Sequence, residues 1–255
     1  MTVELGLGAL AFVTAVCLVS GFAHGALGFG FPIVATPLVV LVLDLKSAIA
    51  LLAPLTLVLV VISVLRGGGV LALVRAYWFL PLAMALGAWL GTRWLLAAPS
   101  EPFVLVLAFV ILLYLNLDRV GRGARPELER LRLPLGLAFG FLAGVFEAVA
   151  NVAGPMLLIY FMLLGAAPSQ MVQTLNMCFS VGKSTQVLTL AGSGALTAPV
   201  WLAIGALTVP SVAALFAGMR MRSRIDAATY RNWLRKALWV MALLLIGQFA
   251  FSAAA

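Results

Sequence analysis

The chain has 255 residues, of which 64% are hydrophobic and 9% are charged, and its formal net charge is +8. Soluble domains carry roughly 25% charged residues, so this composition excludes a soluble protein and indicates an integral membrane protein. The length allows about eight membrane spans of roughly 20 residues each and no sizeable soluble domain. The basic residues lie in short loops between apolar runs, which favours a role in membrane orientation over nucleic-acid binding.

Ten apolar runs follow one another along the chain, five on each side of a basic loop. The runs lie at about 5–27, 28–43, 47–65, 77–97 and 102–117, and then at about 134–150, 153–164, 170–191, 198–219 and 237–253. The sequence therefore predicts an all-α membrane protein with two related halves. Residues 1–117 form the first transmembrane repeat, residues 118–132 form a basic linker, and residues 133–255 form the second repeat.

Each half contains an interrupted segment near its beginning. Residues 21–32 read GFAHGALGFGFP, and residues 144–155, about 123 positions later, read GVFEAVANVAGP. Glycine weakens a helix and proline removes a backbone donor, so both segments are predicted to break a helix. Non-helical backbone is tolerated inside a membrane only where protein or a water-filled cavity satisfies it. The two breaks therefore predict a cavity.

The basic loops at 118–132 and 220–236 are predicted to be cytoplasmic by the positive-inside rule. An even number of crossings must separate them, so the halves have opposite orientations and both termini lie outside. Inverted repeats with broken or re-entrant helices at their interface are typical of secondary transporters, with the site near the midplane. The count leaves open whether each break joins two full crossings or a re-entrant pair.

Charged residues inside the membrane mark candidate functional positions, because each costs roughly 2.5–3.5 kcal/mol at a helix centre. Glu147 is the one charged residue between positions 133 and 167. Asn151 follows one helical turn later, on the same face if the helix continues. His24, the one histidine, aligns with Glu147 between the two breaks. Glu147 and His24 are candidate proton carriers. The alternatives are a structural ion pair for Glu147 and a packing role for His24.

A polar stripe follows on the next long apolar run. Its members are spaced three, four and three apart, as residues on one helical face are: Gln173, Asn176, Ser180 and Lys183. The corresponding positions in the first half are apolar, which predicts an asymmetric function. We interpret the stripe as the lining of a cavity. The alternative is that Lys183 extends outward to the membrane surface.

Pro32 and Pro155 each follow a break and precede a new apolar run, and proline suits the first turn of a helix. Helix N-termini present free amides and the positive end of the helix dipole, which attract anions. Two such termini near a lysine predict a site for a small anion. The candidate binding residues are His24, Gly28, Gly30, Asn151, Gly154, Gln173, Asn176, Ser180 and Lys183. The alternative for the glycines is close helix packing.

The two glycine-containing breaks that end in proline, GALGFGFP and ANVAGP, resemble those of the TauE/SafE family of sulfite and organosulfonate exporters. The resemblance covers about residues 5–247. It implies secondary transport of sulfite, sulfoacetate or a related sulfur-containing anion across the bacterial inner membrane. Family members commonly have a glycine cluster in the second break, where this chain has Glu147 and Asn151.

The sequence thus predicts a secondary exporter of a small anion, with proton coupling as a further hypothesis. The alternative is a passive anion channel of the same fold. The chain lacks the glycine-rich phosphate loop of ATP-driven proteins, and we find no nucleophile or metal-ligand constellation typical of an enzyme. We therefore expect no cofactor and no metal. The expected partners are the anion and membrane lipids, without nucleic acid, and the chain is expected to act as a monomer or homodimer.

Overall fold

A computed structural model describes residues 6–116, 126–165 and 168–222, together with Trp239 and Leu243. Within these residues every regular element is a helix, which confirms the predicted all-α class. The helices are α1 (Leu7–Leu27), α2 (Phe31–Val39), α3 (Leu45–Gly67), α4 (Val70–Tyr77), α5 (Phe79–Ala97), α6 (Glu101–Leu115), α7 (Pro126–Glu129), α8 (Arg132–Ala150), α9 (Gly154–Leu163), α10 (Pro168–Gly192) and α11 (Ala198–Met221). The predicted run at 237–253 and most of both basic loops lie outside the described residues.

Five of these helices, α1, α3, α5, α8 and α11, are long and apolar enough to cross a membrane. Helix α10 has 25 residues and carries the polar stripe. Helices α2 and α9 have 9 and 10 residues, or about 14 and 15 Å at 1.5 Å per residue, so neither alone spans the hydrocarbon core. Each predicted break therefore separates a long helix from a half-length one.

The two breaks have the same local geometry at aligned positions. Gly28 ends α1 with a φ of 88°, and Asn151 ends α8 with a φ of 60°. Both values lie in the left-handed region, which glycine adopts freely and asparagine tolerates better than most residues. Pro32 and Pro155 are each the second residue of the helix that follows. The sequence repeat is therefore also a repeat of backbone conformation.

Helix α4 was not predicted. The predicted apolar runs end at residue 65 and resume at residue 77, and the glycines at 67–69 indicated a joint between them. The structure places the eight-residue α4 directly after them, with none of its side chains buried. An exposed helix of this length does not produce the long apolar run on which the prediction relied.

Helices α1 and α11 pack closely and run parallel. Their contact contains the Gly-x-x-x-Gly pair Gly21 and Gly25, a spacing that lets helix backbones approach in membranes. A Cβ atom on Gly21 would lie 2.6 Å from the carbonyl oxygen of Ser211, and one on Gly25 would overlap the carbonyl of Leu215. These two glycines therefore serve helix packing, as the alternative interpretation proposed.

Helices α5 and α8 pack in the same way. Gly87 of α5 lies against the carbonyl of Phe141, and Gly144 of α8 lies against the carbonyl of Met84. In each of the two contacts, the helix of the first apolar run of one half lies parallel to the helix of the fourth apolar run of the other half. Helices α3 and α10 contact each other. This exchange of partners is consistent with the predicted inverted repeats.

Several helix ends gather at one end of the molecule, which we call the basic end. The guanidinium of Arg222, after α11, lies beside Gly28 at the end of α1. Arg132 at the start of α8 donates a hydrogen bond of 2.8 Å to the carbonyl of Ala76 before α5. Gln173, near the start of α10, donates one of 3.2 Å to the carbonyl of Gly68 after α3. Arg132 and Arg222 thus lie at a common end of the molecule.

We predict that Gly87→Ala lowers the free energy of unfolding by about 1–3 kcal/mol, because the added methyl overlaps the carbonyl of Phe141. Gly205→Ala is the matched control, since a Cβ atom at Gly205 meets nothing within 4 Å, and it should leave stability unchanged or slightly raised. Unfolding in detergent mixtures of increasing denaturing strength measures both. Equal losses in the two variants would contradict the packing role of Gly87.

Candidate functional site

The two breaks face a common cavity. Its lining comes from both breaks and from α3, α6, α8 and α10: Phe29, Gly30, Pro32, Ile33, Thr56, Tyr114, Glu147, Val152, Ala153, Gly154 and Phe179. The cavity has a volume of about 20 Å³, which is room for roughly one water molecule. The predicted cavity between the breaks is therefore present, in a closed form.

The N-termini of α2 and α9 border this cavity from opposite halves of the chain. Their N-cap residues are Gly30, with a φ of 115°, and Ala153, and neither side chain caps its helix. The first turn of a helix leaves backbone N–H groups without intrahelical acceptors. The Phe31 N–H bonds to His24, and Pro32 and Pro155 have no N–H, so the cavity lies beside the remaining first-turn amides and two positive dipole ends.

Lys183 is completely buried behind the cavity. Its Nζ lies 2.5 Å from Asn151 Oδ1 and 2.7 Å from Gln186 Oε1, and it donates a hydrogen bond to each. The side chain has an exposed fraction of 0%, so it does not extend outward to the membrane surface. The two amide oxygens partly offset the cost of burying this charge.

Glu147 is the acidic partner of Lys183. Its Oε1 lies 3.7 Å from Lys183 Nζ, and 2% of its side chain is exposed. Its Oε2 is buried without a hydrogen-bond partner among the described residues. This carboxylate oxygen lies against Gly182, where a Cβ atom would overlap it. Glu147 therefore combines a loose ion pair with unused hydrogen-bonding capacity at the cavity.

Asn151 connects three helices at the second break. Its Oδ1 accepts from Lys183 of α10, and its Nδ2 donates a hydrogen bond of 2.8 Å to Thr36 Oγ1 of α2. Gln186 completes the cluster by donating a hydrogen bond of 3.1 Å to the carbonyl oxygen of Ala148. The end of α8 is thereby attached both to the first half and to α10.

His24 has a partner at each ring nitrogen. The backbone N–H of Phe31 donates to Nδ1 at 3.4 Å, and Nε2 lies 3.1 Å from Ser63 Oγ. Because the Ser63 hydroxyl donates to the carbonyl of Leu59 at 2.9 Å, this network assigns the ring proton to Nε2. His24 thus joins α1 to the start of α2 and to α3. It does not line the cavity, which favours the packing interpretation.

The other stripe residues bond to backbone at helix ends. Asn176 donates to the carbonyl of Gly28 at 2.6 Å, and Gln173 donates to the carbonyl of Val64 at 2.9 Å. Ser180 donates within its own helix, to the carbonyl of Met177. The last carbonyls of a helix have no intrahelical donor, so the amides supply what the ends of α1 and α3 lack. The stripe was interpreted as a cavity lining, and these three residues are not part of the lining.

The structure thus divides the predicted site residues into groups. Gly30, Gly154 and Glu147 line the cavity, and Asn151 and Lys183 form the polar cluster directly behind it. His24, Gly28, Gln173, Asn176 and Ser180 lie toward the basic end or along α10 and make the contacts described above.

Three hydroxyl residues with contacts at the site were not singled out from the sequence. Thr36 binds Asn151, Ser63 binds His24, and Thr56 lines the cavity. A signal existed for two of them, because Thr56 and Ser63 lie seven residues apart on one face of α3. A hydroxyl group in an apolar helix can also donate a hydrogen bond to the carbonyl four residues earlier, as Thr56 does at 2.7 Å. Residue type alone therefore did not distinguish them.

We predict that Lys183→Met lowers the free energy of unfolding by about 3–5 kcal/mol, because it leaves the buried Glu147 carboxylate without its cation. Adding Glu147→Gln should restore part of that loss. Lys46→Met, at a partly exposed lysine, is the control and should change stability by less than about 0.5 kcal/mol. Unfolding measurements on the wild type, Lys183→Met, Glu147→Gln and the double variant give the coupling energy. Strictly additive losses would contradict an energetic link between Lys183 and Glu147.

Comparison with known proteins identifies the family. The family model described as sulfite exporter TauE/SafE matches residues 13–249 of the chain. No curated protein and no solved structure shows significant similarity to this chain. The family match covers nearly the whole chain, and the helices are those of a multi-pass membrane protein. The resemblance first indicated by the two breaks is therefore confirmed, and the chain belongs to the sulfite exporter TauE/SafE family.

Proposed function

We propose that the protein is a secondary transporter that exports sulfite or an organosulfonate such as sulfoacetate across the bacterial inner membrane. Family membership supports transport and the sulfur-containing substrate class. The observation that carries the site assignment is the cavity bordered by the N-termini of α2 and α9. An oxyanion held there accepts hydrogen bonds from backbone amides of both halves.

The surrounding charges support an anionic substrate. The ammonium of Lys183 lies behind the second break and is linked to it through Asn151. The two helix dipoles add positive potential at the same place. Because the site lies among buried residues, where less water screens charges, these groups act on a bound anion more strongly than they would at a surface.

The small volume of the cavity implies that a substrate enters only after the surrounding helices move. A cavity of about 20 Å³ holds one water molecule, whereas sulfite contains four non-hydrogen atoms. The helices around the breaks must therefore separate to admit substrate, as alternating access requires. We assign the basic end, with Arg66, Arg132 and Arg222, to the cytoplasm by the positive-inside rule.

We predict that sulfite or sulfoacetate stabilises the purified protein, by about 2.7 kcal/mol at a concentration one hundred times the dissociation constant. Gly154→Val should abolish this effect with the unliganded melting temperature unchanged. A Cβ atom at Gly154 meets nothing within 4 Å, so the added side chain begins in open space at the cavity. Gly205→Val, on an exposed face of α11, is the matched control and should bind like the wild type. Wild-type binding by Gly154→Val would contradict the assigned site.

Counterflow in vesicles separates a transporter from a channel. Vesicles that contain the protein are loaded with unlabelled sulfite and diluted into a trace of labelled sulfite. We predict a transient accumulation of label above the outside concentration, because an alternating carrier exchanges substrate. Label that only equilibrates would contradict the transporter proposal and favour a passive anion channel.

A further inference from the structure

The carboxyl group of Glu147 is the feature of the cavity that does not suit a simple anion site. Glu147 lines the cavity and is almost completely buried. Its Oε2 has no hydrogen-bond partner among the described residues. Its Oε1 lies 3.7 Å from Lys183 Nζ, farther than the roughly 2.7–2.9 Å of a close charge-assisted hydrogen bond. The carboxyl group thus retains capacity to interact with a bound ligand.

The groups that face Glu147 leave its protonation state dependent on what occupies the cavity. Lys183 and Cys178 of α10 interact with its carboxyl group, and Tyr114 of α6 lines the same cavity. The facing residues of α2, α3, α5 and α9 are non-ionisable: Gly30, Thr56, Met84 and Gly154. Two of the three N–H groups of the Lys183 ammonium donate hydrogen bonds to amide oxygens. The third N–H group is left to interact with a carboxylate or a bound anion.

An ionised Glu147 and a bound anion would place two like charges at one small cavity, where the carboxyl group is almost completely buried. Their repulsion is strong because little water screens it, and a like charge favours the neutral form of a carboxyl group. A protonated Glu147 removes the repulsion and offers an O–H donor to the oxyanion. On the basis of the proposed function, we infer that the anion and one proton bind together, with the proton on Glu147.

The consequence is a defined pH dependence of binding. Where Glu147 is ionised in the empty protein, binding must take up one proton, so the dissociation constant rises tenfold for each unit of pH. Where Glu147 is already protonated, affinity is constant. The proton and the anion then cross the membrane in the same direction, so export is driven by the outward concentration gradient of the anion.

Calorimetric titration of the purified protein with sulfoacetate tests this inference. Both acid groups of sulfoacetate stay ionised between about pH 6 and 9, so any proton taken up belongs to the protein. Titrations in two buffers with different ionisation enthalpies count that proton. We expect uptake to approach one proton per anion as pH rises, with the tenfold weakening per unit. Glu147→Gln should bind with a constant affinity equal to that of the wild type at low pH, and without proton uptake.

The controls separate this inference from the proposed function. Glu101→Gln changes an exposed acidic residue and should behave like the wild type. Binding by the wild type that is independent of pH would overturn the inference and leave the proposed function intact. Proton uptake that persists in Glu147→Gln, or loss of binding in a folded Glu147→Gln, would also overturn it. Failure of both sulfite and sulfoacetate to bind the wild type at any pH would overturn the proposed function and the inference together.

Discussion

The need to satisfy broken backbone inside a membrane governs the interior of this protein. Each break exposes carbonyls where one helix ends and amides where the next begins, and lipid can bond to neither. Asn176 and Gln173 of α10 bond to carbonyls at the ends of α1 and α3, and Gln186 bonds to a carbonyl at the end of α8. His24 accepts from the first amide of α2. Asn176, Gln186 and His24 thus hold the two breaks in place, and the cavity lies between the breaks.

The two halves share a backbone repeat but not its chemistry. Gly28 and Asn151 end the equivalent helices in the same left-handed conformation. Only Asn151 has a side chain, and it binds the buried Lys183 on one side and Thr36 on the other. The charged pair therefore lies against the second break, while the first break is closed by neutral hydrogen bonds. The cavity between the two breaks therefore has charged residues, Lys183 and Glu147, only on the side of the second break among the described residues.

The sequence predicted the elements of the fold well and the roles of individual side chains less well. The breaks, the half-length helices that follow them and the buried lysine are set by local composition, and glycine, proline and charge inside an apolar run are strong signals. The contacts of Gln173, Asn176 and His24 depend on which helix end lies beside each residue, and that is a property of tertiary packing. An amide can bind an anion or a backbone carbonyl equally well, so the stripe was assigned to the cavity. Helix α4 was missed because an exposed helix needs no apolar run.

The central claim is that one anion site lies between the two breaks. Anomalous diffraction from crystals of the protein soaked with selenite, a selenium analogue of sulfite, tests it most directly, because selenium is located without bias from the protein. The account predicts a selenium peak between the N-termini of α2 and α9, beside Gly154 and Glu147. A peak in the open groove between α5 and α10 near Arg93, with none between the breaks, would contradict it.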